Sequence, residues 1–554
     1  MISQGVVVNE STSSAACTNV VVFDGDRLLR NVDTVTVEGG RIAAVGRADD
    51  LMPPRSGTEV IDGAGGLLQP GFIDAHVHPV EAGLERMRCD LSSAATKQEY
   101  LTLIKQYADT HPDEPWILGG GWQMAAFPGG TPTRQELDAV VGDRPALLSN
   151  RDHHGSWANS RALELAGLDA HSPDPDDGRL EREPDGHPTG MLQEGARALV
   201  QAVVPPDTED DEYAGLMEAQ RHLHSLGVTG WQDAIVGNYG NHTDTTPLYQ
   251  RAADNGDLTA YVVAALWWDR HRGAEQVPEL VERRARHTHP RFRATSVKIM
   301  QDGIPENRTA AMIDPYVTTC RCAPAERGLS FVDPEELRGH VVELDRLGFQ
   351  IHVHAIGDRA VREALDAFEA ARRAHGPGDG RHHIAHLQVV HPDDVSRFAE
   401  LEVSANMQTL WATYDPQMVE LNVPLLGPER TSWQYPFAAL DASGAHLCAG
   451  SDWPVTSADP WQALHVAVNR TLPEDDHDHN PERFLPHQAL TLERALAAYT
   501  SGSGWINRRE HGIAAGRPAD LVLHDRNPFA HGPEQISDTR VVATWVDGQL
   551  VHHR

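Results

Sequence analysis

Two histidines one residue apart end an apolar run in the segment GFIDAHVHP, residues 71–79. Side chains two residues apart in a strand point to the same face, so His76 and His78 converge and Asp74 lies on their side. Converging imidazoles are typical ligands of zinc and similar divalent ions. The alternative is that two polar residues simply end a strand, because HxH also arises by chance in a chain with 31 histidines. Further ligands must decide between these interpretations.

Later apolar runs also end in residues that bind metals or carry charge. These residues are Lys298 in TSVKIMQDG, His352 and His354 in FQIHVHAIGD, His386 in HHIAHLQVV, and Asp452 in AHLCAGSDWP. Imidazole and carboxylate ligands suit zinc or a similar divalent ion. If the runs are strands whose carboxyl ends meet at one rim, the pattern predicts a metal site there.

Lys298 does not fit a simple set of metal ligands, because an ammonium repels cations. Val297 and Ile299 point to the opposite face, which leaves the lysine directed into the interior. A buried lysine can lose its proton, and the free amine can take up carbon dioxide to form a carbamate that bridges two cations. The alternatives are a lysine that binds an anionic substrate or one that pairs with Asp302.

Between about residues 70 and 500, apolar runs alternate with amphipathic segments such as DPEELRGHVVELDRLG. This alternation predicts βα units and a parallel sheet. The candidate strands are GFIDAHVH, GVTGWQDA, LTAYVVAAL, TSVKIMQDG, FQIHVHAIGD, HHIAHLQVV, LEVSANMQ and AHLCAGSDWP. Eight such units predict an α/β fold with a closed (β/α)8 barrel of the TIM type, in which catalytic groups lie at the C-terminal ends of the strands.

The two ends of the chain have a different pattern of short strands and Gly-containing turns, as in VDTVTVEGGRIAAVG and VVATWVDGQLVHH. We expect residues 1–69 and 506–554 to form one small β-sandwich beside a barrel of residues 70–505. The interval from His78 to Gly227 is far longer than one helix requires. An insertion over the barrel mouth is therefore expected at about residues 85–215.

Composition excludes several classes of protein. The formal net charge of −33 disfavours nucleic acid and anionic membranes as partners. Five scattered cysteines fit a reducing compartment, and the lone CxC pair, Cys320 and Cys322, lacks the second pair that structural zinc sites use. No basic start precedes a long apolar stretch, and no run of ~18 apolar residues occurs. We expect a soluble, cytoplasmic protein.

Five segments occur in an order that resembles a known family. The HxH pair, VKIMQDG, HVHAIGDRAV, IAHLQVV and AGSDWPV are similar to motifs of the amidohydrolase superfamily. The resemblance is closest to its YtcJ-like metal-dependent hydrolases, a branch that includes N-substituted formamide deformylases. It extends over nearly the whole chain, including DHHGSWANSRAL and GRLEREPDGHPTGMLQE.

The resemblance implies a centre of two divalent metal ions, most simply Zn2+. His76 and His78 would bind the more buried ion, with Asp452 as a further ligand. A hydroxide formed from water between the ions would attack a carbonyl that one ion polarises. Asp452 would take the proton and pass it to the leaving nitrogen. The implied reaction is hydrolysis of an amide, N-formyl or related C–N bond of a small molecule.

The resemblance also implies the ligands of the second ion. Carboxylated Lys298 would bridge to an ion held by His354 and His386. His354 is preferred to His352 because it matches the HAIGD run of the family, although both histidines share one strand face. His352 would then lie behind the ligands.

Substrate contacts are predicted from their neighbourhood. His154, in the insertion, would by resemblance reach the carbonyl oxygen or the leaving group as a catalytic residue; capping a helix or supporting a ligand are the alternatives. The other candidates for contact with the substrate are Trp122, Trp411, Trp453, Asp302 and Arg308. Tryptophans beside the motifs could line an apolar or aromatic pocket, but most tryptophans pack in cores.

Two other functions stay open at this point. One is a one-metal deaminase of the same superfamily, which would generally lack the bridging lysine. The other is a non-catalytic regulator built on the same barrel, which would have no need of Lys298 among histidines. The expected partners are a small amide-type substrate and possibly a second copy of the chain in a homodimer.

Overall fold

A computed structural model describes residues 14–53, 56–239, 243–317 and 325–554, so Cys320 and Cys322 lie outside the described residues. The described strands are β1 Ala15–Thr18, β2 Val21–Val22, β3 Thr34–Glu38, β4 Arg41–Gly46, β5 Glu59–Asp62, β6 Leu67–Pro70, β7 Phe72–Val77, β8 Cys89–Asp90, β9 Ile117–Trp122, β10 Ala146–Asn150, β11 Gly155–Ala158, β12 Gly178–Arg182, β13 Pro188–Glu194, β14 Val228–Val236, β15 Tyr261–Trp267, β16 Thr288–His289, β17 Phe292–Met300, β18 Gln350–Ala355, β19 His383–His386, β20 Ser404–Met407, β21 Leu447–Ala449, β22 Leu521–His524, β23 Val541–Val546 and β24 Gln549–His553.

The α-helices of the same ranges are α1 Pro79–Met87, α2 Lys97–Thr110, α3 Arg134–Val141, α4 Ser160–Leu165, α5 Arg197–Gln201, α6 Glu209–Ser225, α7 Thr246–Asn255, α8 Val277–Arg286, α9 Pro334–Arg346, α10 Asp358–His375, α11 Val395–Leu401, α12 Val423–Thr431, α13 Phe437–Ala442, α14 Pro460–Asn469, α15 Leu492–Ala497 and α16 Ser503–Ile506. None of these helices combines the length and the apolar character that a bilayer-spanning segment requires.

The central sheet of the described chain runs in the order β7, β14, β15, β17, β18, β19, β20 and β21, with every neighbouring pair parallel. Helices connect successive strands, as α9 does between β17 and β18 and α10 between β18 and β19. All eight predicted strand segments belong to this sheet. The barrel predicted from the alternation of strands and helices is therefore confirmed.

The covering helices pack through an apolar face. In α10 the buried residues include Val361, Ala364, Leu365 and Phe368, at the spacing of one side of a helix. The strands that they cover are buried on both sides, and β18 has no exposed residue over its whole length. This burial explains why its outward-facing residues are apolar while His352 and His354 alternate with them on the inner face.

The turn after β21 joins the last barrel strand to the first. Asp452 N donates a hydrogen bond to His76 O at 2.7 Å. Ser451 donates to the buried Asp74 carboxylate through its N at 3.0 Å and through its Oγ at 2.6 Å. We call this set of contacts the seam. The residues that close the barrel are thus the candidate ligands or their direct neighbours.

A second sheet lies in the long connection between β7 and β14, in the order β12-β13-β11-β10-β9-β8. The ends of β11 and β13 are adjacent, and Glu194 N donates to His154 O at 2.8 Å. The preceding residue, His153, places its Nδ1 3.0 Å from Glu81 Oε1 in α1. The inserted sheet therefore carries His154 on a loop that is tied to the barrel mouth.

The ends of the chain form two further sheets. One has the order β4-β3-β1-β5, and the other, β2-β6-β22-β23-β24, combines strands from both ends. Buried residues of the two sheets belong to one cluster, which includes Val22, Val35, Leu521 and Trp545. A separate β-sandwich domain with bounds at residues 1–69 and 506–554 stays a prediction.

A substitution at Gly450 tests whether the seam stabilises the fold. A Cβ at this position would lie 2.4 Å from His76 N and 2.8 Å from Asp74 Oδ1. Because the His76 backbone cannot move away without opening the seam, we expect Gly450→Ala to lower the free energy of unfolding by about 1–3 kcal/mol. Urea unfolding measures this change.

Gly339→Ala in α9 is the matched control, because a Cβ there would meet no atom within 4 Å. We expect it to be neutral or to stabilise the protein by about 0.5–1 kcal/mol, since alanine is the better helix former. Equal stability of Gly450→Ala and the wild type would contradict the role given to the seam.

Candidate active site

The C-terminal ends of the barrel strands surround a cavity of about 160 Å³. Its lining includes all the residues predicted as metal ligands, namely His76, His78, Lys298, His354, His386 and Asp452. His154 of the inserted sheet lines the same cavity. Side chains that are far apart in the sequence are therefore neighbours at the rim where barrel enzymes carry their chemistry.

One group of ligand candidates is centred on Asp452. Its Oδ1 lies 3.1 Å from His76 Nε2 and 3.0 Å from His78 Nε2. Lys298 Nζ is 3.4 Å from His76 Nε2. The donor atoms of the two histidines and the aspartate all lie within 4.8 Å of one another, a spacing that permits one cation to be shared.

A second group consists of His354 and His386, whose ring centroids are 4.3 Å apart. His386 Nδ1 lies 3.7 Å from Asp452 Oδ2, which links the two groups. His354 Nε2 and both ring nitrogens of His386 are buried without a hydrogen-bond partner among the described residues. Unpaired buried polar atoms are costly, and unpaired imidazole nitrogens are suitable metal ligands. The residues present therefore fit a divalent metal centre.

The backbone holds two of these residues in unusual conformations. His386 has a φ of 80° and Asp452 a φ of 57°, both in the left-handed region. Such residues cost about 1–3 kcal/mol each and concentrate at functional sites. His386 N donates to Gln408 Oε1 at 2.7 Å, and the seam holds Asp452. Hydrogen bonds thus stabilise a backbone that directs these side chains into the cavity.

His352 lies behind the cavity wall. Its Nε2 is 2.9 Å from His76 Nδ1, so the two rings share a hydrogen bond. On its other side His352 packs against His383, with ring centroids 4.1 Å apart. This contact fixes the ring of His76 and leaves Nε2 of His76 for the cavity.

Burial determines the charge of the site. It lowers the pKa of His76 to about 3 and the pKa of Lys298 to about 7. Burial likewise lowers the pKa of His354 and of His386 well below the ordinary value for histidine. Burial raises the pKa of Asp452, but the imidazoles that contact its Oδ1 outweigh burial and hold that pKa well below its usual range. At neutral pH, His76, His354 and His386 are therefore neutral and the Asp452 carboxylate is ionised.

His154, which lines the cavity from the inserted sheet, forms a pair with Glu194. His154 Nδ1 lies 2.8 Å from Glu194 Oε2, while Glu194 Oε1 accepts hydrogen bonds from Thr309 Oγ1 at 2.6 Å and Asn307 Nδ2 at 3.2 Å. Burial lowers the pKa of His154, but the Glu194 carboxylate outweighs burial and raises it. The ring of His154 lies 5.7 Å from that of His354, between centroids.

Glu194 was not selected from the sequence, although it belongs to the GMLQE segment. Its sequence signal is the GMLQE segment, but its partner, His154, lies 40 residues earlier, on the loop that precedes β11. Only the pairing of β11 with β13 shows that the two side chains meet.

Two of the residues predicted to contact the substrate, Trp411 and Asp302, lie next to histidines that are metal-ligand candidates. Trp411 lines the cavity, and its ring stacks on His386 with a centroid distance of 5.1 Å. Asp302 Oδ1 is 3.7 Å from His354 Nε2. The Asp302 carboxylate accepts backbone hydrogen bonds from Ala311, Ile356 and Gly357. It therefore holds the loops around the site, and it is not part of the cavity lining.

Three predicted substrate contacts lie outside the lining of the cavity. Trp122 is fully buried in the core of the inserted sheet, where its Nε1 donates to Leu148 O at 2.9 Å. Trp453 faces an adjoining pocket, and Arg308 pairs with Glu326 at 2.8 Å. None of these three side chains belongs to the lining of the cavity.

Comparisons with known proteins match the chain to one family. A family model described as "Amidohydrolase family" matches residues 59–552. The chain is 29% identical over 540 residues to the putative amidohydrolase YtcJ of Bacillus subtilis, covering 96% of this chain and 97% of that protein. It is 26% identical over 547 residues to N-substituted formamide deformylase of Arthrobacter pascens, covering 94% and 95%.

A solved structure with similar sequence is also similar in fold. It is an uncharacterized metal-dependent hydrolase from Pyrococcus horikoshii, with a TM-score of 0.71 and 26% sequence identity. The superposition covers 94% of this chain and 99% of that chain.

The unpaired nitrogens of His386 provide a test of metal binding. We expect the purified protein to retain divalent metal, and His386→Ala to bind about one equivalent less per chain because a ligand is lost. Elemental analysis after dialysis against metal-free buffer measures the content. His487→Ala, at an exposed histidine, is the control and should bind metal as the wild type does. Equal metal content in His386→Ala and the wild type would exclude His386 as a ligand.

Proposed function

The chain belongs to the amidohydrolase family, and we propose that it is a metal-dependent hydrolase that cleaves an amide, N-formyl or related C–N bond of a small molecule. The observation that carries this proposal is the cavity in which the unpaired imidazole nitrogens, Lys298 and the ionised Asp452 converge. Similarity to an amidohydrolase and to a formamide deformylase over nearly the whole chain supports the choice of bond.

We assign the donor atoms of the cavity lining to two divalent ions, most simply Zn2+. His76, His78 and Asp452 would hold one ion and His354 and His386 the other, and a carbamate on Lys298 would supply a further anionic ligand. Divalent ions held there supply a Lewis acid that polarises a carbonyl and lowers the pKa of water. Lys298 supports the carbamate because burial lowers its pKa to about 7, which makes the reactive neutral amine available near neutral pH.

Asp452 is proposed as the group that moves the proton. Its Oδ1 is engaged by His76 and His78, whereas its Oδ2 lies 3.7 Å from His386 Nδ1. Oδ2 is thus the atom that accepts the proton of the attacking water. The carboxyl group then donates this proton to the leaving nitrogen, which otherwise departs poorly as an amide anion.

His154 is proposed to bind the carbonyl oxygen of the substrate. Its Nδ1 is bonded to Glu194, which leaves Nε2 to donate a hydrogen bond into the cavity. Because Glu194 raises the pKa of His154, a proton is retained on the ring as negative charge develops on the oxygen. Thr309 and Asn307 hold the carboxylate and so fix the direction of the imidazole.

The position of Lys298 and the unpaired imidazole nitrogens distinguish a two-metal hydrolase from the two alternative functions, a one-metal deaminase and a non-catalytic regulator. A one-metal deaminase has no need of a buried amine 3.4 Å from His76 Nε2. A non-catalytic regulator has no need of imidazole nitrogens that are buried without partners in the described chain. Both features favour a two-metal hydrolase.

The role of Asp452 predicts the effect of one substitution. After a screen of N-formyl, N-acyl and cyclic amide compounds has identified a substrate, we expect Asp452→Asn to lower kcat by ~10²- to 10⁴-fold, because the amide cannot accept the proton. Asp49→Asn, at a side chain that is 89% exposed, is the control for loss of one carboxylate. Near-native kcat in Asp452→Asn with unchanged metal content would reject Asp452 as the base.

A carbamate on Lys298 can be observed directly. We expect a carbamate resonance in the ¹³C NMR spectrum of the wild type in labelled bicarbonate, and none in Lys298→Ala. The variant should lose metal and activity, and short carboxylates such as acetate or propionate should restore part of both, because they replace the bridging oxygens. Lys105→Ala, on the surface of α2, is the control. A fully metallated, active wild type without the resonance would eliminate the carbamate.

A further inference from the structure

A carboxylate with no part in these steps, Glu306, also lines the cavity. Its Oε1 accepts hydrogen bonds from Gln417 Nε2 at 2.8 Å and from Asn422 Nδ2 at 2.5 Å. Gln417 precedes the π-helical turn Met418–Asn422, and Asn422 is the last residue of this turn. Such π-helical turns are rare, and they occur often at functional sites. The hydrogen bonds fix one oxygen of Glu306 and leave the other for the cavity.

Glu306 lacks a compensating positive charge in the described part of the chain. The groups that act on it are Asp152, itself a carboxylate of the cavity lining, and neutral hydrogen-bond donors. Burial raises the pKa of Glu306 to about 7, and Asp152 adds to this effect. A cation placed beside this half-buried acid would favour its ionised form.

The contacts of Gln388 provide a second indication that a ligand binds in this part of the cavity. The residue is 4% exposed and lines the same cavity. Its Nε2 donates to Asn422 Oδ1 and to Gln434 Oε1, both at 2.9 Å, which turns its Oε1 away from these partners. No group of the described residues donates a hydrogen bond to that Oε1. Because Gln388 lines the cavity, its Oε1 can accept a hydrogen bond from a ligand there.

The two arginines of the lining are already engaged. Arg197 donates to Ser156 Oγ at 3.0 Å and to the His153 carbonyl oxygen. Arg151 Nη1 lies 3.9 Å from Asp478 Oδ2. The cavity therefore offers a carboxylate and an amide oxygen to a ligand, and its arginines are paired elsewhere.

We propose that Glu306 and Gln388 bind a positively charged nitrogen of the substrate, so that the hydrolysed C–N bond belongs to a molecule that also carries a basic amine. This inference rests on the proposed hydrolase function, and it narrows the substrate class to N-acylated or N-formylated diamines and related cationic amides. An ammonium group supplies both the charge that Glu306 lacks and the N–H donor that Gln388 Oε1 lacks.

The approach to the cavity has a suitable charge. Asp415 lines both the cavity and an adjoining pocket of about 360 Å³, which Asp476 and Asp478 also line. Arg86 lines that pocket too, but it is paired with Glu218 at 3.2 Å. A route lined by carboxylates in a chain of net charge −33 concentrates cations and repels anions.

A matched pair of substrates tests the inference. In N-formyl-1,4-diaminobutane and N-formylpentylamine, an ammonium group of the first is replaced by a methyl group in the second. We expect the wild type to prefer the charged compound by about 10- to 100-fold in kcat/KM, the range for a hydrogen bond to a charged group. Glu306→Gln should lose this preference, because its kcat/KM for the charged compound should fall about 10- to 100-fold more than its kcat/KM for the neutral compound. The glutamine Oε1 can still accept the hydrogen bonds from Gln417 and Asn422.

Glu420→Gln is the matched control, because Glu420 is an exposed carboxylate of the same π-helical turn. It should keep the wild-type preference. Glu306→Asp retains the charge on a shorter side chain and provides a second variant if Glu306→Gln does not fold; a reduced preference is expected. Hydrolysis of both compounds at equal kcat/KM by the wild type would overturn the inference and leave the hydrolase proposal intact.

A binding measurement separates the two proposals. In a calorimetric titration with 1,4-diaminobutane alone, we expect the wild type and Glu420→Gln to bind, and Glu306→Gln to bind at least about 10-fold more weakly. Binding that depends on Glu306 in a protein that hydrolyses no amide would support this site and reject the hydrolase. Affinity that is equal in Glu306→Gln and the wild type, or absent in both, would reject the site.

Discussion

The contact between Asp452 and the first barrel strand determines both the fold and the candidate active site. Asp452 N donates to His76 O, and the side chains of the same two residues meet at 3.1 Å. Because one pair of residues joins the sheet ends and supplies metal-ligand candidates, the site cannot be distorted without opening the barrel. Asp74 reinforces the arrangement by accepting hydrogen bonds from Ser451.

Burial then gives these side chains their chemical states. Removal from water keeps the imidazoles neutral and brings the pKa of Lys298 to about 7, whereas contact with imidazoles keeps Asp452 ionised. At the wall formed by the inserted sheet the effect on histidine is reversed, because the Glu194 carboxylate raises the pKa of His154 and maintains a proton on its ring. A substrate carbonyl between the walls would meet a base on one side and a hydrogen-bond donor on the other. One wall belongs to the barrel and the other to the inserted sheet. The contact between His153 of the insertion and Glu81 of α1 holds the two together.

The barrel and its rim could be predicted from the sequence because both follow from short-range patterns. The alternation of side chains along a strand predicts that His76 and His78 share one face of their strand, and that His352 and His354 share one face of theirs. Eight apolar runs predict the eight strands of the barrel. The inserted sheet was beyond such patterns, because the pairing of its strands joins residues far apart in the chain. Glu194 was therefore missed, and Trp122, next to a motif, proved to be a core residue. Trp453 shows the same limit, because its position next to Asp452 does not determine which way its side chain turns. Arg308, on the loop after β17, likewise pairs with Glu326 outside the cavity lining.

The position of the seam also orders events during synthesis of the protein. His76 is made early and Asp452 late, with nearly the whole barrel between them. A growing chain on the ribosome holds the first histidine pair long before its carboxylate partner emerges. The proposed ligand set is therefore complete only at the end of folding, when the last strand reaches the first, and a chain truncated before Asp452 would lack it.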